Sequence, residues 1–392
     1  MVLMWFLIFL IVLLIYKGTR KPKRFPPGPP RLPVVGSLPY MAAQNAPSEP
    51  KSLLTGIRKG MNELYQYFYS FSSLIFITFQ NTLMLCVLVY LIAVDKYGKV
   101  VGFYIGNEPG VILADFDLIK DIYKRDDVST RPSMRPFCDM RPGHWVLDKE
   151  NDGKVPGVIF TQGKFWTEQR RFTLRALRDF GFGKASMEDT IMDEVEKLCD
   201  QLKPFEGKSL NLQRKVNVSV LNALWGMLVG EKLSLQDPRL LRIVELFDKV
   251  LRGQGVSGAL ATMLPFPEMM RWPVIYNLLG VDVETSFETM HEMQSLVETY
   301  VQDHKDSLDE NNIRDYLDTY LLEIQKHEND SNSSFHQERG HYMLVNTLID
   351  LLIAGMETTS SAIVWTLLLL LHHPEAKRNV LEEIDKVLLL SC

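Results

Sequence analysis

The residues best suited to chemistry lie in one stretch, Ile349-Asp350-Leu351-Leu352-Ile353-Ala354-Gly355-Met356-Glu357-Thr358-Thr359-Ser360-Ser361, inside a long apolar run from His341 to Leu371. The run contains no Pro and is too long for a strand, so it reads as a helix. Ala354-Gly355 is a small pair in mid-helix, where Gly costs about 1 kcal/mol against Ala. A small pair lets a flat group approach the backbone. Glu357 is ionisable in an apolar setting, which costs energy unless it is paired or wet. Thr358 and Thr359 are poor interior helix residues whose hydroxyls can bond back to a carbonyl one turn earlier. An acid beside an alcohol can pass protons. Two readings of the stretch stand: a helix–helix contact with solvated polar residues, or a ligand face with a proton relay.

A second chemical pair is Trp166 and Arg170 in Gly163-Lys164-Phe165-Trp166-Thr167-Glu168-Gln169-Arg170-Arg171-Phe172. Residues four apart share a helix face. An indole N–H and a guanidinium fork on one face make a carboxylate clamp. The alternative is a cation–π pair on a surface helix.

The elements around these groups are mostly helical. Val100 to Leu113 reads as a strand pair around the turn cluster Gly106-Asn107-Glu108-Pro109-Gly110. Asp115 to Arg125 reads as a helix with Asp115 as N-cap. Met134 to Phe160 is a long loop rich in Pro, Gly and aromatics. Met187 to Ile324 is a series of amphipathic helices, broken at Met263–Leu279 by Pro and aromatics. Lys326 to Arg339 reads as a polar, mobile connection before the central helix. His372-His373-Pro374-Glu375 begins a charged helix to Val387, and its paired histidines read as helix-start residues rather than ligands.

Composition narrows the class. The chain has 392 residues, 46% of them hydrophobic, and a net charge of −5. That balance argues against nucleic-acid binding. The four cysteines, Cys86, Cys138, Cys199 and Cys392, form no CxxC or Cys/His cluster, so structural zinc is not expected. So few in a chain this long point to a reducing compartment.

The N-terminus is organised for a membrane. Val2 to Tyr16 is unbroken and apolar, followed by Lys17, Arg20, Lys21, Lys23 and Arg24. A signal peptide and an anchor share such a core. The missing small-residue cleavage site and the basic cluster on the C-terminal side favour an anchor, with the rest of the chain cytosolic. Residues 17–36 are then a basic, Pro-rich hinge that includes Pro26-Pro27-Gly28-Pro29-Pro30, and each Pro stiffens it. Tyr67 to Val94 carries no charge, and Phe68 to Ile92 is long enough to cross a bilayer. It is a second span, a buried hairpin, or translated intron. Removing Tyr67–Asp95 joins Gln66 to Lys96-Tyr97-Gly98, a continuous helix end, Gly stop and strand.

Ala354-Gly355-Met356-Glu357-Thr358-Thr359 resembles the distal-helix signature of the cytochrome P450 family, the haem-thiolate monooxygenases. The Trp166–Arg170 motif, the Leu174–Glu188 passage, the anchor and the Pro-rich hinge resemble its microsomal branch, in the clan of vertebrate drug-metabolising and insect members. The resemblance implies a mainly α fold with a small β sheet. It implies haem as cofactor, with Ala354 and Gly355 over the iron and Glu357 and Thr358 managing protons for dioxygen cleavage. Trp166, Arg170 and Arg131 of Thr130-Arg131-Pro132 would clamp propionates. The Met134–Phe160 loop would roof the substrate cavity and the Met263–Leu279 segment would gate it. The implied reaction inserts one oxygen atom from O2 into an apolar organic substrate, with electrons from an NADPH–cytochrome reductase, at the endoplasmic reticulum membrane with the domain cytosolic.

The expected organisation is therefore an anchor over 1–16, a hinge over 17–36 and a partial monooxygenase domain over 37–392, with 67–95 as an anomalous insert. The chain reads as C-terminally truncated, because no stretch matches the family's ExxR helix or proximal Cys loop. Hence no metal ligand is assigned. Two alternatives are a non-catalytic, membrane-tethered product and a two-span membrane protein.

Overall fold

Two apolar runs flanking the Gly106–Gly110 turn cluster, and amphipathic repeats over much of the chain beyond them, dictate a small hairpin and a set of helices. The structure is a computed structural model that describes residues 21–32, 37, 93–105, 108–125, 128, 141, 155–159, 161, 163–253 and 283–391. The anchor (1–16), nearly all of the 67–95 insert, Arg131, most of the 134–160 loop and the 263–279 segment lie outside them. The chain divides into two units: Met1–Thr130 with Met134–Phe137 and Leu251–Ser286, and Arg131–Ser133 with Cys138–Val250 and Phe287–Cys392.

In the first unit, β1 (Val100–Ile105) pairs antiparallel with β2 (Glu108–Leu113), in register from Val100↔Leu113 to Ile105↔Glu108. A helical turn over 93–97 ends at Gly98, at φ +94°, and β1 comes next. The Gly stop and the strand match the expectation, whereas the turn before them includes Ala93, Val94 and Asp95 of the insert, and Gln66 lies outside the described residues. Asp115 caps α1 (Phe116–Ile122) by accepting from the Leu118 N–H at 3.1 Å. The Pro-rich hinge is tied to β1. Gly102 N–H donates to Pro27 O at 2.9 Å, and the Phe25 and Tyr104 rings lie 4.8 Å apart. Lys21 closes the hinge on itself through Gly28 O and Pro29 O at 3.1 and 2.7 Å.

The second unit is helical: α2 (Gly163–Asp179), α3 (Ala185–Leu202), α4 (Leu212–Val229), α5 (Pro238–Gly253), α6 (Val283–Asp306), α7 (Tyr316–Lys326), α8 (Gln337–His372) and α9 (Pro374–Ser391). The apolar run thus folds as one helix of 36 residues, and the break at His373 precedes a Pro at the first position of α9. α8 packs on α4, which is largely buried; Leu221, Trp225 and Leu228 are each at most 1% exposed. Met343, Leu344, Val345, Leu348 and Ile349 bury the N-terminal half of α8. Each such side chain is worth about 1.5–3 kcal/mol. Beyond Ser360 the helix carries exposed Ile363, Leu367, Leu369 and Leu371. Among the described residues α8 alone is long and apolar enough to cross a membrane, and its N-terminal half is core.

The Lys326–Arg339 connection is not the loose segment its polarity suggests. Ser333, Ser334 and Phe335 are at most 2% exposed, and the two serines are tied to α2. Its hydroxyls serve as internal partners rather than as solvated groups.

Candidate functional site

Helical spacing splits the small pair of α8 between two faces. Gly355 faces α4: a Cβ there would lie 2.6 Å from Leu224 Cδ1, so this glycine permits close helix packing. Ala354 and Thr358, one turn apart, are both exposed, on a side of the helix next to the one Gly355 presents. The helix–helix contact reading holds for Gly355, while Ala354 is open to solvent. The Thr358 hydroxyl donates to Ala354 O at 2.6 Å, the back-bond expected of a mid-helix Thr. Glu357 is half-buried, and its Oε1 accepts from the Ser361 hydroxyl at 3.1 Å.

On α2 the amphipathic pattern buries Gln169, Phe172, Thr173, Ala176 and Leu177 and turns Arg170 outward. Trp166 is half-buried, and the Arg170 guanidinium lies 5.5 Å from the centre of its ring. The indole N–H donates to Val158 O at 3.1 Å. Trp166 and Arg170 thus share a face, as their spacing predicts. In this structure Arg170 has the freer donors, while the indole is held by the backbone. Arg131 lies outside the described residues.

The two motifs are joined through residues that sequence reasoning passed over. Asp350, one turn before Ala354, is wholly buried and accepts from Val158 N–H at 2.8 Å, from Ile159 N–H at 2.9 Å and from Arg141 at 2.5 Å. Val158 thus gives its N–H to α8 and its carbonyl to Trp166 on α2. Gly157, at φ +104°, allows this approach: a Cβ there would sit 2.5 Å from Asp350 Oδ2. Asp350 carried the same signal as Glu357, an acid in an apolar run. Arg141 carried none, because its partner is 209 residues away.

The floor beneath α2 is a polar network within aromatic rings. Gln169 accepts from the Tyr320 hydroxyl at 2.5 Å and donates to Ser334 Oγ at 2.9 Å. Thr173 and Tyr316 hydroxyls pair at 3.0 Å. Burial pushes both phenols well above their ordinary range, so both stay protonated. Phe172 meets Tyr320 and Phe335 at 5.2 and 5.0 Å between ring centres.

Among the described residues one cluster has metal-ligand composition: His304, Asp315 and Asp318. Its acceptors are already engaged. Arg314 grips Asp318 through Nε and a terminal nitrogen, both at 2.7 Å, and His304 holds Asp315 at 2.9 Å. Cys199 is exposed on α3; Cys86, Cys138 and Cys392 lie outside the described residues.

Comparison with known proteins adds a family. A family model described as Cytochrome P450 matches residues 87–390. The chain is 31% identical over 291 residues to cytochrome P450 2L1 of Panulirus argus, covering 74% of the chain and 56% of that protein. It is 29% identical over 369 residues to cytochrome P450 2J2 of Homo sapiens, covering 94% of the chain and 61% of the relative. Against cytochrome P450 18a1 of Drosophila melanogaster the identity is 29% over 299 residues, covering 74% and 52%. The chain thus spans between about half and three fifths of the length of these relatives.

Proposed function

Because the chain belongs to the cytochrome P450 family, we propose that α8 and α2 form the distal side of a haem-dependent monooxygenase acting on an apolar organic substrate. The observation that carries this reading is the exposed Ala354–Thr358 side of α8, with Glu357 beside it, joined through Val158 to the helix bearing Arg170. These residues suit haem. Ala354 offers a flat, small face, and the Arg170 fork is exposed for a carboxylate. Gly355 takes no part, since Leu224 closes its side.

When bound, haem supplies the dioxygen and electron chemistry. The chain's residues supply placement and protons. Arg170 would hold a propionate, and Arg131 is proposed to do so from the preceding loop. Trp166 joins them once its indole leaves Val158 O. Thr358 donates its hydroxyl proton to a hydrogen bond with Ala354 O at rest, and delivery toward the ligand side would require the hydroxyl to turn from that carbonyl. Glu357, held by Ser361 and half in solvent, is placed to return a proton to that side.

The proposed partner is an NADPH–cytochrome reductase. Support comes from Arg171, Arg175 and Arg178, all exposed on α2 at i, i+4 and i+7, a cationic stripe suited to an acidic electron donor. The proposed location is the endoplasmic reticulum membrane with the domain cytosolic, on the strength of the basic cluster after residue 16.

The test is Thr358→Ala in the full-length protein supplied with reductase. Product per NADPH should fall while peroxide release rises, because the hydroxyl that passes protons is gone. Unchanged coupling would contradict the role of Thr358.

A further inference from the structure

α2 rests on α7 and on the turn before α8, with the rings of Phe172, Tyr316, Tyr320 and Phe335 between them. Ring contacts such as Phe172 with Tyr320 and Phe335 hold a helix down but tolerate rotation about its axis, since edge and face geometries span a broad range. Hydrogen bonds do not tolerate it, because they weaken steeply with angle. The amide of Gln169 makes two of them to two different elements: it accepts from Tyr320 on α7 and donates to Ser334 in the turn before α8. All three residues are fully buried. No water competes there, and a mismatch leaves a polar group unpaired at a cost of about 1–3 kcal/mol.

We propose that the Tyr320–Gln169–Ser334 relay sets the rotation of α2 and so fixes the direction in which Trp166 and Arg170 point. Gln169 and Tyr320 are positioning residues for the propionate clamp, and the inference rests on α2 being the propionate-holding helix. Gln169 precedes Arg170 directly and lies three residues after Trp166, so all three turn as one rigid unit. With side chains about 6 Å from a helix axis, a rotation of ~10° moves a tip by roughly 1 Å. Displacements of about that size are enough to cost a site its function. Glu168 adds a second restraint on the same turn, accepting from Ser333 Oγ at 3.0 Å and Ser334 N–H at 2.8 Å. This restraint is looser, because Glu168 is only half-buried.

The experiment uses the full chain labelled with 5-fluorotryptophan and fluorine NMR, with the Trp166 signal assigned by its loss in Trp166→Phe. Tyr320→Phe removes one hydroxyl and keeps the ring and its packing, so the variant folds. The Trp166 signal is expected to shift or broaden in Tyr320→Phe, and further in Gln169→Leu. The Trp225 signal, from the buried centre of α4, should stay in place. A Trp166 signal unmoved in Tyr320→Phe, with the hydroxyl gone, would overturn the proposal. Haem titration separates this from the site assignment. A wild-type chain that binds haem, with binding weakened roughly tenfold by Tyr320→Phe, the worth of one charge-assisted hydrogen bond, supports both. Displacement of Trp166 in Tyr320→Phe with haem binding unchanged from wild type keeps the positioning and contradicts the propionate clamp.

Discussion

Asp350 and Arg141 form a buried ion pair at 2.5 Å, with side chains 0% and 6% exposed. A buried pair is costly to break from one side, because the remaining charge is stranded. Asp350→Ala would remove the carboxylate from Arg141, which keeps its bond to Pro156 O, and would leave the Val158 and Ile159 N–H groups without their acceptor. The expected loss is about 3–5 kcal/mol. Arg141→Met leaves the carboxylate its two backbone donors and should cost less. Chemical denaturation of the two variants checks the order; Asp350→Ala at wild-type stability would show that this clamp is not structural.

Gly157 should tolerate no side chain. It combines φ +104° with a Cβ position 2.5 Å from Asp350 Oδ2 and 2.8 Å from an Arg141 nitrogen. Gly157→Ala is expected to destabilise by about 1–3 kcal/mol. Since Val158 links α8 to Trp166, the indole environment should change with it, as read by tryptophan emission. A neutral effect on both would contradict the link.

The two small residues of α8 should respond differently. Gly355→Ala pushes against the flexible end of Leu224 while gaining helix propensity, so its net effect should stay within about 1 kcal/mol. Gly355→Leu should cost about 1–3 kcal/mol by overpacking. Thermal unfolding of both variants is the measurement, and equal midpoints would argue against the α4 contact.

His304 gives stability a definite pH dependence. Its Nδ1 lies 2.8 Å from Tyr300 O and its Nε2 2.9 Å from Asp315 Oδ2. Both neighbours are acceptors, so the site favours the protonated ring, which can donate from both nitrogens. Burial opposes the charge, but the Asp315 carboxylate and the Tyr300 carbonyl outweigh it and raise the pKa above the usual 6.5. A raised folded pKa means that the stabilisation is complete below about 6.5 and is lost as pH rises through the folded value. The stability gap between wild type and His304→Asn should therefore shrink on going from pH 6 to alkaline pH. A gap that widens would reverse the assignment.

Much of the architecture was legible because its signals are local. The apolar run without Pro became α8, the Asp115 cap holds α1, and Pro374 opens α9. The shared face of Trp166 and Arg170 comes from their spacing alone. What escaped was long-range or ambiguous. Arg141 finds Asp350 only in the folded chain. Ser333 and Ser334 look like a solvated linker until α2 supplies partners for them. For Ala354-Gly355 the sequence could not say which residue packs and which stays open, since a 100° step along the helix decides it.

Topology has a direct readout. Asn329 and Asn332 are exposed and match the glycosylation pattern, whereas Asn217 is 3% exposed inside α4 and cannot report. With the domain cytosolic, protein expressed in animal cells should carry no glycan at Asn329 or Asn332. A glycan at either would place the domain in the lumen.

The central claim is that the open side of α8 at Ala354 and Thr358 receives haem. Its most direct measurement is a haem titration of the full chain against Ala354→Phe, monitored at the Soret band, with thermal unfolding alongside. Ala354 is exposed, so Phe there should leave the unfolding midpoint near wild type, at a helix-propensity cost of about 0.5 kcal/mol. The expected result is saturable binding by wild type, weakened at least tenfold by the added ring. Equal binding by both proteins at equal stability would contradict the claim.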